Sequence, residues 1–219
     1  MKRLVFDCET SPAPNAADHM PEFVAPANYK DVGKIAANLE AQRASFLEKA
    51  ALDPITGIVV AFTSAFDDEP PACLLNTGKT AEELLEAERS LLIQAVSLID
   101  DCMARGIAVI GFNSKGFDLK FLFRRSWIHN LPVPALVLGA TDRYCQLSID
   151  LLQIWLAGDR DYSGQSLGRI CHACGIGEKN GKGGEFAALL KMDPASAKAY
   201  AVNDVVLTQK LADRLYPQP

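Results

Sequence analysis

Short apolar runs alternate with longer amphipathic stretches along most of this chain. Several runs rich in Val, Ile, Leu and Phe have the length of strands and are bounded by residues that favour turns. They predict strands at 3–7, 57–66, 72–76 and 107–112, with a fifth strand within 135–150. A strand that is apolar throughout is typical of a sheet covered on both faces.

Other stretches place apolar residues three or four positions apart, which is the spacing of one helix face. They predict helices over 31–52, 80–106, 117–130, 166–175, 185–192 and 193–216. Thr80 and Glu83 have the spacing of a capping box, in which each residue satisfies a backbone amide of the first helical turn. Asp193 followed by Pro194 is likewise typical of a helix start.

A long segment at 11–56 separates the first two predicted strands. Its first part, 11–30, contains several prolines and predicts an irregular, extended path. Its second part is helix 31–52, whose rough apolar stripe consists of Ile35, Leu39, Phe46 and Ala50. Three consecutive strands followed by alternating helices and strands predict an α/β fold, with three antiparallel strands, then parallel strands, and helices on both faces of a mixed sheet.

Acidic side chains occur in three of the predicted elements or directly beside them. Asp7 and Glu9 are two apart at the end of the first strand, so they share a face and Cys8 points the opposite way. Asp118 lies near the start of helix 117–130, where it also suits the helix dipole. Tyr200 and Asp204 share one face of the last helix because they are four apart.

Four carboxylates that converge on one point repel each other unless a cation lies between them. Oxygen ligands of this charge suit Mg²⁺ or Mn²⁺. Two such ions, roughly 3.5–4 Å apart, can stabilise the attacking and leaving oxygens of a phosphodiester during hydrolysis. The proposed contact between Asp7 and Asp204 also places both ends of the chain in one domain, 1–219, with 11–56 as an insertion.

The three acidic segments resemble, in order and residue type, the three motifs of the DEDD superfamily of 3′–5′ exonucleases. The Tyr-x-x-x-Asp form of the third motif resembles the tyrosine subgroup, DEDDy, and within it stand-alone exonucleases related to the proofreading domain of family-B DNA polymerases. The resemblance runs from Leu4 to about Leu215. It implies a ribonuclease H-like fold and two divalent cations, Mg²⁺ or Mn²⁺. The implied activity is release of nucleoside 5′-monophosphates from the 3′ end of single-stranded DNA.

The resemblance also implies roles for individual residues. Four acids would bind metal, and Tyr200 would orient the attacking water; the acids are Asp7, Glu9, Asp118 and Asp204. Thr10, Asn113 and Phe117 would bind substrate, although Phe117 equally fits the hydrophobic core. Asp150 lies where such enzymes often carry a further acid, but the end of a strand explains it as well.

Three alternatives stay open at this point. An RNA-trimming exonuclease of the same superfamily would differ in its contacts to the 2′-hydroxyl, which the sequence does not reveal. A catalytically silent nucleic-acid-binding domain is disfavoured because all five site residues are present. A zinc module built on Cys171 and Cys174 lacks a second pair of ligands, so buried thiols on a helix are the better interpretation.

Composition limits the remaining function classes. The net charge of −5 argues against a protein that coats nucleic acid, and favours loose binding of a strand end. The one flexible basic segment, 179–184, could touch substrate phosphates, but a solvated loop is the preferred interpretation. Six cysteines without a secretory signal predict reduced thiols and a cytoplasmic protein. The apolar runs are too short for a membrane span, and the three histidines fall outside the motifs.

Overall fold

A computed structural model describes residues 2–159, 163–181 and 183–216. Within these residues five strands form one sheet in the order β3-β2-β1-β4-β5. The strands are β1 (Arg3–Pro12), β2 (Gly57–Phe66), β3 (Ala72–Leu75), β4 (Ala108–Gly111) and β5 (Ser148–Asp150). The first three strands pair antiparallel, whereas β1, β4 and β5 run parallel. The predicted mixed sheet is confirmed.

Helices cover both faces of this sheet. They are α1 (Val32–Lys49), α2 (Ala81–Ala104), α3 (Asp118–Ile128), α4 (Ala135–Gly139), α5 (Leu151–Leu156), α6 (Leu167–Ala173), α7 (Phe186–Met192) and α8 (Pro194–Leu215). Leu4, Phe6 and Cys8 of β1 pack with residues of α2, α3 and α4, while Val5 packs with residues of α5, α6 and α8. This alternation follows from the two-residue period of a strand, and it confirms the predicted α/β, ribonuclease H-like architecture.

Local signals placed the starts of the two long helices well. The Thr80 hydroxyl accepts a hydrogen bond from the Glu83 amide at 3.1 Å, and the Glu83 carboxylate accepts one from the Thr80 amide at 3.2 Å. The Asp193 carboxylate accepts bonds from the amides of Ala195 and Ser196 at 3.1 and 3.2 Å. Both predicted caps are therefore confirmed, and α2 and α8 each begin one residue after their cap.

The structure differs from the sequence pattern at several elements. β1 continues past its acidic residues to Pro12, because its backbone pairs with β2 over the whole of that length. The short helices α4 and α5 were not predicted, since neither is long enough to show a helical period. In the 11–56 segment a 3₁₀ turn spans Ala16–His19. Of the predicted apolar stripe, Ile35, Leu39 and Phe46 are only half-buried, and no residue of α1 is fully buried, whereas Ala50 is buried just after the helix ends.

A buried charge network ties α2 and α3 to the sheet. Glu88 of α2 has no solvent exposure, and its carboxylate accepts two bonds from Arg125 of α3, at 2.8 and 2.6 Å. It also accepts a bond from the Val59 amide of β2 at 2.8 Å and lies 2.7 Å from Nε2 of His129. Arg125 donates in addition to the Pro54 carbonyl at 3.0 Å. The network thus fixes the helix that begins with Asp118 against β2.

None of the helices in the described part of the chain is both long and apolar enough to cross a membrane.

Candidate metal centre

Strand β1 positions the first two acids of the site. Asp7 and Glu9 point to the sheet face that α8 covers, and both carboxylates are partly exposed. Cys8 points to the other face and is buried, as the strand period predicts. A register shift between Glu9 and Thr10 lets Thr10 pair with Val59 and leaves one extra residue on β2. Such bulges commonly reorient side chains beside functional sites.

Helix α8 brings the third acid to this point. Asp204 is 2% exposed and occurs in an otherwise apolar run of the helix. One carboxylate oxygen from each of Asp7, Glu9 and Asp204 can be chosen so that all three lie within 4.8 Å of one another. Residues from the two ends of the sequence therefore meet, and they form a set that could hold a metal ion.

Asp118 lies next to this set of three carboxylates but does not belong to it. Its side chain is 4% exposed, and its Oδ1 accepts a hydrogen bond from the Cys8 amide at 3.1 Å. That bond joins the first residue of α3 to β1 between the two acids of the strand. Among the described residues, Asp118 does not belong to the group of three close carboxylates, but its charge acts on Asp7.

The carboxylates of this cluster have raised pKa values because they are buried close to one another. Burial, followed by the charges of Asp118 and Glu9, raises the pKa of Asp7 well above its usual range. Burial and the charge of Asp204 raise the pKa of Glu9 to about 8. Burial also raises the pKa of Asp118 to about 7. The folded chain thus stores repulsion that a bound cation would relieve.

Two buried polar oxygens at this point make no hydrogen bond of good geometry among the described residues, although the Tyr200 hydroxyl is close enough to Lys179 and Asp204 to affect the pKa of each. They are Oδ1 of Asp204 and the hydroxyl of Tyr200, one helical turn apart on α8. An unpaired buried oxygen is costly, so each calls for a ligand. Carboxylate and phenol oxygens are hard donors that suit Mg²⁺ or Mn²⁺. The residues present therefore fit divalent cations.

Tyr200 is buried to the same degree as Asp204, with 2% exposure. Its ring packs against Phe186 at a centroid distance of 5.7 Å, which holds the phenol in place beside the acids. Burial is the main reason that the pKa of Tyr200 is raised above its ordinary value. The phenol is therefore neutral near pH 7, when it can donate a hydrogen bond.

Lys179 is a site residue that the sequence did not identify. Its Nζ lies 2.5 Å from Oδ2 of Asp204 and 5.1 Å from the centroid of the Tyr200 ring. Although burial opposes the charged form, Asp204 raises the pKa of Lys179 above its usual value. The expectation of a solvated loop is therefore wrong for Lys179, because its contact with Asp204 partly buries it. Lys182 of the same segment lies outside the described residues.

The residues expected to bind substrate lie near the acids, and their roles stay predictions. Thr10 directly follows the register shift between β1 and β2. Asn113 adopts a φ of 59°, and its Oδ1 lies over Gly116, where a Cβ would be only 2.3 Å away. Phe117 is half-buried, with its ring centroid 5.4 Å from that of Phe121. The alternative interpretation of Phe117 as a core residue thus has a structural basis.

Asp150 has a structural role. It caps α5 through a bond from the Leu152 amide at 3.0 Å, and it accepts bonds from the amides of Asn113 and Lys115 at 2.9 and 3.0 Å. It therefore shapes the loop between β4 and Asp118.

The cysteine pair of α6 gives no sign of a zinc site. Cys171 is fully buried, and burial raises the pKa of its thiol to about 11. In the described part of the chain neither Cys171, His172 nor Cys174 belongs to any group of three close metal ligands. The buried cysteine predicted at 171 is confirmed, whereas Cys174 is half-buried.

Comparison with known proteins gives a fold and no family. No family model matches this sequence, and no curated protein matches it either. Among solved structures, the family B DNA polymerase from the hyperthermophilic archaeon Pyrobaculum calidifontis superposes with a TM-score of 0.62 at 18% sequence identity. The chain shares its fold with part of that polymerase. The match covers 99% of this chain and 25% of the polymerase, so the chain spans about a quarter of its length.

Proposed function

We propose that this protein is a metal-dependent 3′–5′ exonuclease that releases nucleoside 5′-monophosphates from the 3′ end of single-stranded DNA. The observation that carries the proposal is the convergence of the carboxylates of Asp7, Glu9 and Asp204, close to buried oxygens of Asp204 and Tyr200 that make no hydrogen bond of good geometry within the described residues. The order and residue types of the three acidic motifs supply the class and the 3′ polarity. The fold shared with part of a DNA polymerase supports DNA as the substrate.

The residues of the centre have separate roles in this proposal. Asp7, Glu9 and Asp204 would hold divalent cations, with Asp118 contributing from the start of α3. When bound, Mg²⁺ or Mn²⁺ stabilises the charge that develops on phosphoryl oxygens during in-line displacement. Thr10, Asn113 and Phe117 would contact the terminal nucleotide from the strand and loop beside these acids.

Tyr200 would position the attacking water through its hydroxyl. Burial raises its pKa, so the phenol stays neutral and can hold the water as a hydrogen-bond donor or acceptor, but it is not expected to remove a proton from it. The packing of its ring against Phe186 fixes the direction in which the hydroxyl points. A fixed, neutral group that orients a nucleophile lowers the barrier by reducing the entropy lost at the transition state.

A direct test uses single-stranded DNA and RNA of one sequence, each labelled at the 5′ end, with Mg²⁺ or Mn²⁺. We expect a ladder of products shortened from the 3′ end of the DNA and no products in the presence of chelator. A blocked 3′ end should protect the strand, whereas a blocked 5′ end should not. Cutting of circular single strands, or full activity in chelator, would contradict the proposal. Preferential trimming of the RNA would instead identify the protein as an exoribonuclease.

Replacing Tyr200 with Phe should slow hydrolysis by an amount on the order of 10²-fold, the low end for losing one group that handles the attacking water. The ring, and with it the packing on Phe186, is kept. Single-turnover measurements should show the loss in kcat with little change in KM, because the hydroxyl acts mainly as water approaches phosphorus. A Tyr200→Phe enzyme at the wild-type single-turnover rate would show that Tyr200 is only a packing residue.

A further inference from the structure

The ammonium of Lys179 pairs with one oxygen of Asp204, and Asp204 belongs to the candidate metal set. Its Nζ contacts Oδ2 of Asp204 at 2.5 Å, while Oδ1 of the same residue is buried without a partner in the described structure. The Lys179 side chain is 26% exposed and that of Asp204 is 3% exposed. The ammonium of Lys179 and a divalent cation would therefore compete for the negative charge of the Asp204 carboxylate.

One lysine cannot balance the whole cluster. The carboxylates of Asp7, Glu9 and Asp204 lie together, and the charge of Asp118 acts on Asp7 and Glu9, so one ammonium stands against a cluster of four acids. The pKa of Asp204 is raised by burial even though Lys179 opposes that shift. A divalent ion carries twice the charge of an ammonium and has no flexible stem to immobilise, so it competes well for these oxygens.

The loop that carries Lys179 is seated on the centre by close contacts that need glycine. A Cβ on Gly168 of α6 would lie 3.0 Å from Cγ of Lys179, and a Cβ on Gly181 would lie 3.0 Å from Cδ2 of Tyr200. On α8, the Asn203 side chain donates to the Glu178 carbonyl at 3.2 Å. These contacts hold the first part of the lysine stem between α6 and α8. Rotation about the outer bonds of the stem would carry the ammonium away from Asp204 without moving the loop.

We infer that Lys179 is the resident counter-cation of the metal-free cluster, and that a divalent ion displaces its ammonium from Asp204. The inference rests on the proposed function only in requiring that a divalent ion binds this cluster. It makes Lys179 a residue that sets metal affinity: the ion pair with Asp204 has to be broken before that carboxylate becomes a ligand. The solvent exposure of the Lys179 amine should therefore increase when a divalent ion binds, and it can be used to follow metal binding.

The first measurement is calorimetric titration with MnCl₂. Lys179→Met keeps a stem of similar length and removes the charge, so it should bind Mn²⁺ at least about tenfold more tightly than the wild type, which is about 1.4 kcal/mol. The matched control is Lys191→Met, on the exposed end of α7, which should bind as the wild type does. Equal or weaker binding by Lys179→Met would overturn the inference.

The second measurement separates displacement from simple charge repulsion. The wild-type protein is treated with an N-hydroxysuccinimide acetate in chelator or in saturating MnCl₂, and acetylation is quantified by peptide mass spectrometry. Lys179 should be labelled several-fold more in Mn²⁺, while labelling of Lys191 should not change. Unchanged or reduced labelling of Lys179 in a protein that binds Mn²⁺ and degrades DNA would overturn the displacement and leave the proposed function standing. Absence of Mn²⁺ binding in every variant would overturn both.

Discussion

Replacing Asp7 with Asn should nearly abolish nuclease activity and, in chelator, should make the protein more stable. Asp7 is the acid on which the charges of Asp118, Glu9 and Asp204 all act after burial itself. A neutral amide of the same shape removes that repulsion but is a poor ligand for Mg²⁺. We expect activity to fall at least about 10³-fold, since a metal-based Lewis acid supplies several kcal/mol of transition-state stabilisation.

The stability half of this prediction is measured by thermal unfolding with and without metal. In chelator, Asp7→Asn should melt about 2–4 °C above the wild type, which is what about 1 kcal/mol gives at this chain length. In MnCl₂ the order should reverse, because only the wild type gains from binding. Asp101→Asn, an exposed acid on α2, is the control for charge removal. A destabilised Asp7→Asn protein in chelator would mean that Asp7 has a structural partner.

Replacing Glu88 with Ala should cost about 3–5 kcal/mol of folding free energy, the range for breaking a buried ion pair. Glu88 is fully buried and Arg125 is 3% exposed, so the substitution leaves a guanidinium without a carboxylate inside the protein. It also strips the Val59 amide of its acceptor. The measurement is urea unfolding followed by far-UV circular dichroism.

Two further variants decide the cause of that loss. Glu86→Ala removes an exposed acid two residues earlier on α2 and should change stability by less than about 0.5 kcal/mol. Glu88→Leu combined with Arg125→Met replaces both charges by apolar groups, and should recover most of the loss because no buried charge is left alone. A loss below about 1 kcal/mol in Glu88→Ala would show that the network does not stabilise the fold. No recovery in the double variant would show that the loss comes from the hydrogen bonds of Glu88, such as that from the Val59 amide, and not from the unpaired guanidinium.

The sequence predicted most of the fold because its long elements carry strong local signals. The strand at 57–66 has the bounds predicted for it, and α2 and α8 begin where their caps place them. The elements it missed, α4 and α5, are held by packing on the sheet and show too few turns for a period. The end of β1 was placed too early, because acids suggested a strand end where the backbone in fact stays paired.

Within the site, the sequence identified the residues whose type and spacing signal chemistry. It placed Asp7, Glu9 and Asp204 together, and their convergence is confirmed as a possible metal set. It missed Lys179, because a lysine in a glycine-rich loop carries no local sign of the acid that it will meet. Glu88 did carry a sign, since it lies on the apolar face of α2 between Leu84 and Leu91. An acid at such a position needs a buried partner.

The proposed centre is made by residues from opposite ends of the chain, and this has a consequence during synthesis. A nascent chain can pair β1 with β2 long before α8 has left the ribosome, because α8 follows every other described helix in the sequence. Until α8 docks, Asp7 and Glu9 lack Asp204, so no complete set of ligands exists. The same holds for any partly unfolded form in which α8 has detached. Under the proposed function, a chain would therefore become able to bind metal and act on nucleic acid only once α8 is in place.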